Sequence, residues 1–81
     1  MQHFLLIYDH AEQRLRDEPR RFDADEIFEA TGAYQDAEQR FRDQPQIEIV
    51  LIGADSIETI ERTHGHYFRD QDRLAKYLTP S

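Results

Sequence analysis

Phe4, Leu5, Leu6, Ile7 and Tyr8 follow one another without interruption between His3 and Asp9. An unbroken apolar run of this length is the pattern of a central strand covered on both faces, whereas a strand with one wet face would alternate. After the small or polar residues Asp9, His10, Ala11 and Glu12, the stretch Arg14 to Phe22 alternates weakly through Leu15 and Phe22. It predicts a second strand at the sheet edge, where Pro19 is tolerated and the interleaved Arg and Asp discourage unwanted pairing. A helical reading of Ala11 to Glu18 competes with it. From Asp23 onward the period changes. Ile27, Ala30, Tyr34, Ala37 and Phe41 recur at three- and four-residue steps, which predicts an amphipathic helix, opened by the Asp23-x-x-Glu26 start signal and closed by Pro45. Gly32 inside it costs about 1 kcal/mol relative to alanine.

Ile47 to Gly53, IEIVLIG, returns to a period of two, with Ile47, Ile49 and Leu51 on one face and Glu48, Val50 and Ile52 on the other. This is the third strand. Asp55 and Glu58 repeat the start signal, and Ile57, Ile60, His64 and Tyr67 or Phe68 mark a second helix that Gly65 can break. Leu74, Tyr77 and Leu78 add a short amphipathic tail.

The order β-β-α-β-α predicts a single α+β domain over residues 1–68 followed by a C-terminal tail over 69–81 that either extends the second helix or docks separately. The sheet is expected to be three-stranded and mixed, in the order 2-1-3 with the most apolar strand in the middle and both helices on one face. That arrangement leaves one sheet face uncovered, and self-association is the usual remedy for an open face or a naked edge. A homodimer is expected, through the open face or the edge that carries Glu48, Val50 and Ile52.

Composition narrows the function classes. Eighty-one residues make one small core, at a size where oligomerisation often supplies missing stability. With no cysteine there is neither a disulfide framework nor a thiolate metal site, and the expected compartment is the cytoplasm. The opening MQHFLLIYD has no basic lead-in and too short an apolar run for a targeting or membrane segment, so it reads as a strand. Seventeen acids against ten bases give a net charge of −7, which disfavours attraction to nucleic-acid phosphates. Arg14, Arg16, Arg20 and Arg21 come nearest to a basic patch, and nucleic-acid binding through them is the alternative function.

Two nonapeptides are nearly identical: AEQRLRDEP at Ala11 to Pro19 and AEQRFRDQP at Ala37 to Pro45. Repeats at such a spacing can announce a solenoid. Here the flanks disagree, HFLLIYD before the first copy and IEIVLIG after the second, so the copies are expected to lie in different secondary structures.

The pieces FLLIYD, RRF, IEIVLIGADS and ETIERTHGHYF, with GADS at Gly53 to Ser56 and Arg62, Thr63, His64, Tyr67 and Phe68 as the most specific, resemble a group of short actinobacterial-type proteins without assigned activity. The resemblance spans residues 3 to 68 and implies architecture only.

Candidate chemistry is sparse. His64 and His66 with Asp70 and Asp72 could in principle hold a divalent metal, but residues two apart on a helix point to nearly opposite sides, so no metal or cofactor site is expected. Ser56 lacks the G-x-S-x-G elbow and fits a helix N-cap. Asp23 with Asp25, or Asp55 with Glu58, suit helix N-termini on electrostatic grounds alone. Gly53 to Ser56 places Asp55 where a phosphate would sit, and Tyr67, Phe68 and Tyr77 stand among acids that oppose base stacking. The expected function is therefore a small non-enzymatic protein-interaction domain that self-associates and can bind a basic partner as an inhibitor, antitoxin-like protein or adaptor. A small metal- or ligand-dependent enzyme is the remaining alternative.

Overall fold

A computed structural model describes residues 1–68 of the chain; the tail expected over 69–81 lies outside the described residues. The elements are β1 (Gln2–Asp9), β2 (Arg14–Leu15), β3 (Arg20–Phe22), α1 (Ile27–Arg40), β4 (Ile47–Ala54), α2 (Ile57–Thr63) and a 3-10 turn, Gly65–Phe68. The α+β class holds. β1 is central, with β2 and β3 along one side and β4 along the other.

Three expectations are corrected. First, the edge strand expected over Arg14 to Phe22 is two strands, so the sheet has four. β2 pairs Tyr8 with Leu15 and Asp9 with Arg14, and β3 pairs Leu5 with Arg20 and His3 with Phe22. Between the two ladders β1 contributes Leu6 and Ile7, whereas the edge contributes Arg16, Asp17, Glu18 and Pro19. The surplus has to bulge out, and Pro19, which has no N–H to donate, stands where the ladder is interrupted. Second, the sheet is not mixed in its pairing, because every ladder is antiparallel and each runs to β1.

Third, the helices take opposite faces. Phe4, Leu6 and Tyr8 cluster with Ile60, Tyr67 and Phe68 on the α2 side. Leu5 clusters with Phe22 and Ala30, and Ile7 with Ala37 and Phe41, on the α1 side. An unbroken apolar strand presents large side chains in both directions, and one helix per face buries both sets. Leu6 and Ile60 are fully buried, each worth about 1.5–3 kcal/mol of transfer free energy. With a helix on each side there is no open face to drive association, and the dimer expectation falls back on the sheet edge.

Local chemistry explains the turns. No glycine or asparagine marks the β1–β2 connection; instead Asp9, buried, accepts from the Ala11 and Glu12 amides at 2.9 and 3.0 Å through Oδ1. This Asx-type turn brings the chain back with Gln13 in the left-handed region at φ 57°. α1 starts later than the Asp23-x-x-Glu26 signal implied, with Glu26 itself at the N-cap and no side-chain cap bond; the Asp23–Glu26 contact belongs to the turn before it. The Asp23 amide donates to the Glu26 carboxylate at 2.7 Å, while the Asp23 carboxylate takes Arg21 Nη1 at 2.6 Å. Gly32 does not interrupt the helix. At α2 the cap is Ser56, whose Oγ accepts from the Thr59 amide at 3.2 Å, and Asp55 accepts from Thr59 Oγ1 at 2.6 Å. After His64 the chain tightens into the 3-10 turn that begins at Gly65.

Candidate functional site

Backbone hydrogen bonding determines which side of β4 is in use. Glu48, Val50 and Ile52 stand opposite Tyr8, Leu6 and Phe4, and the His10 amide donates to the Gln46 carbonyl at 2.9 Å in the same register. In an antiparallel ladder, hydrogen-bonded and non-bonded pairs alternate. Residues 46, 48, 50, 52 and 54 therefore spend their backbone groups on β1. Ile49, Leu51 and Gly53 direct theirs to the other side, where no described strand stands. The Ile47 amide is turned to the Gln44 carbonyl at 3.0 Å.

The two edges of the sheet differ in kind. The β2–β3 edge is short, bulged and lined with charge, all of which blunt an edge against pairing. β4 is eight residues long, carries Ile47, Ile49 and Leu51 on one face and Val50 and Ile52 on the other, and lacks lysine, proline or a bulge. Its flanks form an open groove of about 410 Å³, with Tyr34 on the α1 side, His64 and Tyr67 on the α2 side, and Ile49 to Ile52 between them.

Glu48, the one charged residue of β4, does not project to the edge. Its Oε1 lies 2.7 Å from His10 Nε2, and its Oε2 accepts the Tyr67 hydroxyl at 2.7 Å. Tyr67 is buried; its ring meets Tyr8 edge-on with centroids 5.3 Å apart and His66 at 3.8 Å. The hydrogen bond from Tyr67, then that from His10, holds the Glu48 carboxyl below the usual range. Burial, reinforced by the adjacent carboxylate, pushes the Tyr67 phenol up to about 12. These shifts are the reverse of what general acid–base chemistry near neutrality uses, since they hold Glu48 ionised and Tyr67 protonated. What the arrangement does is fasten the 3-10 turn to β4 and hold the strand's only carboxylate in place with two hydrogen-bond partners.

The four arginines do not share a surface. By register Arg14, Arg16 and Arg20 lie on the α1 side with Asp9, Ile7 and Leu5, whereas Arg21 stands opposite Phe4 on the α2 side. Arg16 lies over the Phe41 ring at 5.6 Å and 3.6 Å from Asp9; Arg20 lies over Phe22 at 5.0 Å. Arg21 is bonded to Gln2 and Asp23. His64 and His66 both adjoin Tyr67, and among the described residues no group of three or more His, Asp and Glu side chains is placed to hold a metal ion. Asp70 and Asp72 lie outside the described residues. A second groove, of about 560 Å³, has Phe4, Ile57 and Phe68 in its walls, with Glu18, Glu58 and Glu61 against Arg21 around them.

Sequence reasoning placed Val50 and Ile52 on the right strand but missed the roles of His10 and Tyr67. The Tyr67–Glu48 bridge joins residues nineteen apart through a register that periodicity does not supply. No helix among the described residues is long and apolar enough to cross a membrane. Comparison of the chain with protein-family models, curated proteins and solved structures finds no match.

Proposed function

We propose that this chain is a small non-catalytic protein-interaction domain that works by accepting a β-strand along the outer edge of β4. The observation that carries the reading is the contrast between the two sheet edges: one is blunted by a bulge and by Pro19, while the other is long, apolar and presents the amides of Ile49, Leu51 and Gly53 on a side where no described strand stands. Strand addition draws affinity from main-chain hydrogen bonds and selectivity from alternate side chains. Tyr34 on one flank and His64 on the other supply the walls into which those side chains would fit.

Amide hydrogen exchange with and without a synthetic peptide copying residues 46–54 tests the reading. In the dilute chain the amides of Glu48, Val50 and Ile52 exchange slowly and those of Ile49, Leu51 and Gly53 quickly. Excess peptide slows the second set. A second set that stays fast under saturating peptide refutes strand addition.

A basic partner is supported by a separate observation, the groove in which three glutamates and one arginine surround Phe4, Ile57 and Phe68. Binding of an amphipathic lysine-rich peptide that weakens with salt and with Glu58→Lys/Glu61→Lys is the expected result, and binding indifferent to both removes this reading.

A further inference from the structure

The geometry points to a specific occupant of the β4 edge: we propose that β4 pairs with β4 of a second copy of this chain, antiparallel, about a two-fold axis at Val50. The inference rests on the strand-addition reading above and adds the partner and its alignment.

The edge is self-complementary in backbone and side chain. A two-fold axis at Val50 sets Ile49 opposite Leu51 of the second copy, Leu51 opposite Ile49, and Gly53 opposite Ile47. The outward amides of Ile49, Leu51 and Gly53 in each chain then all find carbonyls, while the Ile47 amide stays with Gln44, so each terminal Ile47–Gly53 pair makes one of its two bonds. On the α1 side two Ile–Leu pairs meet; on the α2 side Val50 meets Val50, a β-branched pair of the kind that stabilises antiparallel ladders.

Charge does not oppose this alignment. A chain of net charge −7 repels its own copies, so a self-pairing strand has to keep its carboxylates from facing one another. β4 carries a single carboxylate, and Tyr67 and His10 hold it on the α2 side. With the axis at Val50, Glu48 stands opposite Ile52 of the second copy and not opposite another Glu48. Moving the axis to Leu51 sets Ile49 opposite Gly53 in both copies and wastes the apolar pair. Moving it to Ile49 brings Pro45 opposite Gly53. The product is one continuous antiparallel sheet, in the order β2/β3–β1–β4–β4–β1–β2/β3. Among the described strands, the edges it leaves free are the blunted ones.

The absence of cysteine in the chain makes the alignment directly testable. With the axis at residue 50, the two Val50 residues form a non-hydrogen-bonded pair, whose Cα atoms lie about 4.5 Å apart, within the span of about 4.4–6.8 Å that a disulfide bridges. The Val50→Cys chain at micromolar concentration, under mild oxidation, is expected to convert almost completely to a covalent dimer. Glu48→Cys and Ile52→Cys are each expected to stay uncrosslinked alone and to crosslink when mixed. Light scattering on the unmodified chain supplies the second readout, with a mass near two chains expected. A single-chain mass at every concentration overturns the second copy as occupant, even if the β4 peptide binds. A two-chain mass with crosslinking at Leu51→Cys but not at Val50→Cys overturns the alignment. A two-chain mass with no crosslink at positions 48–52 places the dimer elsewhere and overturns the proposal. Failure of the peptide to slow the outward amides marks failure of the strand-addition reading itself.

Discussion

Removing one hydroxyl tests the linkage between β4 and the 3-10 turn. Tyr67→Phe leaves the ring against Tyr8 and His66 and deletes only the donor to Glu48, 2.7 Å away. A hydrogen bond to a charged group contributes about 1.5–3 kcal/mol. Glu48 keeps His10 and is 38% exposed at its side chain, so no unpaired charge is buried and the cost belongs to the bond itself. For a domain of this size that is a fall in Tm on the order of 10 °C. The pH dependence reports the phenol itself, whose ionisation is opposed first by burial and then by the bond to Glu48. The folded-state pKa of Tyr67 lies at about 12, above the unfolded value near 10, so its contribution is fully present below pH 10 and disappears as the pH rises to 12. For Glu48 the folded value is lowered. Its contribution is present above the ordinary carboxyl range and is lost as the pH falls through it. Urea unfolding followed by circular dichroism, at steps from pH 3 to 7 for Glu48 and from 9 to 12 for Tyr67 and at one fixed protein concentration, reads both. The wild-type chain should lose more stability between pH 10 and 12 than Tyr67→Phe, and the two should converge at the top of the range. A Tyr67→Phe chain within 0.5 kcal/mol of wild type at pH 7, with the same alkaline slope, would refute the assignment.

Other positions carry single, separable contributions. Asp9→Ala removes the acceptor for two turn amides and the partner of Arg16; a loss of about 2 kcal/mol in urea unfolding is expected, with amide exchange of Leu15 and Arg16 accelerated before that of β4. Ser56→Ala deletes the α2 cap and should cost about 1 kcal/mol, largely restored by Ser56→Asp.

How much of the fold could be read in advance depended on the range of the interactions involved. The Phe4–Tyr8 run, the Ala30–Ala37–Phe41 stripe and the Ile47–Gly53 alternation are local and fell where periodicity put them. The first of these already implied cover on both sheet faces, and the two-helices-on-one-face arrangement conflicted with it. The Asp9 turn was legible in principle, since aspartate can make a turn through its side chain where glycine is missing. The β2–β3 bulge and the Tyr67–Glu48–His10 contacts depend on strand register and on the packing of distant segments, and nothing local encodes either.

The duplicated nonapeptide shows the limit most sharply. The copies differ only at Leu15 against Phe41 and Glu18 against Gln44, yet the first forms a turn, the strand β2 and the bulge, while the second forms the last turn of α1 and the loop after it. Neither composition nor propensity separates them. What separates them is context: the first follows directly on β1 and is started by the Asp9 turn, while the second continues a helix already paced by Ala30 and Ala37. The copies even touch, since Arg16 of the first lies over Phe41 of the second at 5.6 Å. Converting the first copy into the second, Leu15→Phe/Glu18→Gln, should therefore leave residues 11–19 as turn and edge strand. Backbone chemical shifts should keep extended values at positions 14 and 15, with a stability cost of about 1–3 kcal/mol from the larger ring at Leu15. Helical shifts across 11–18 in that variant would show that the two side chains, and not the flanking elements, decide the conformation.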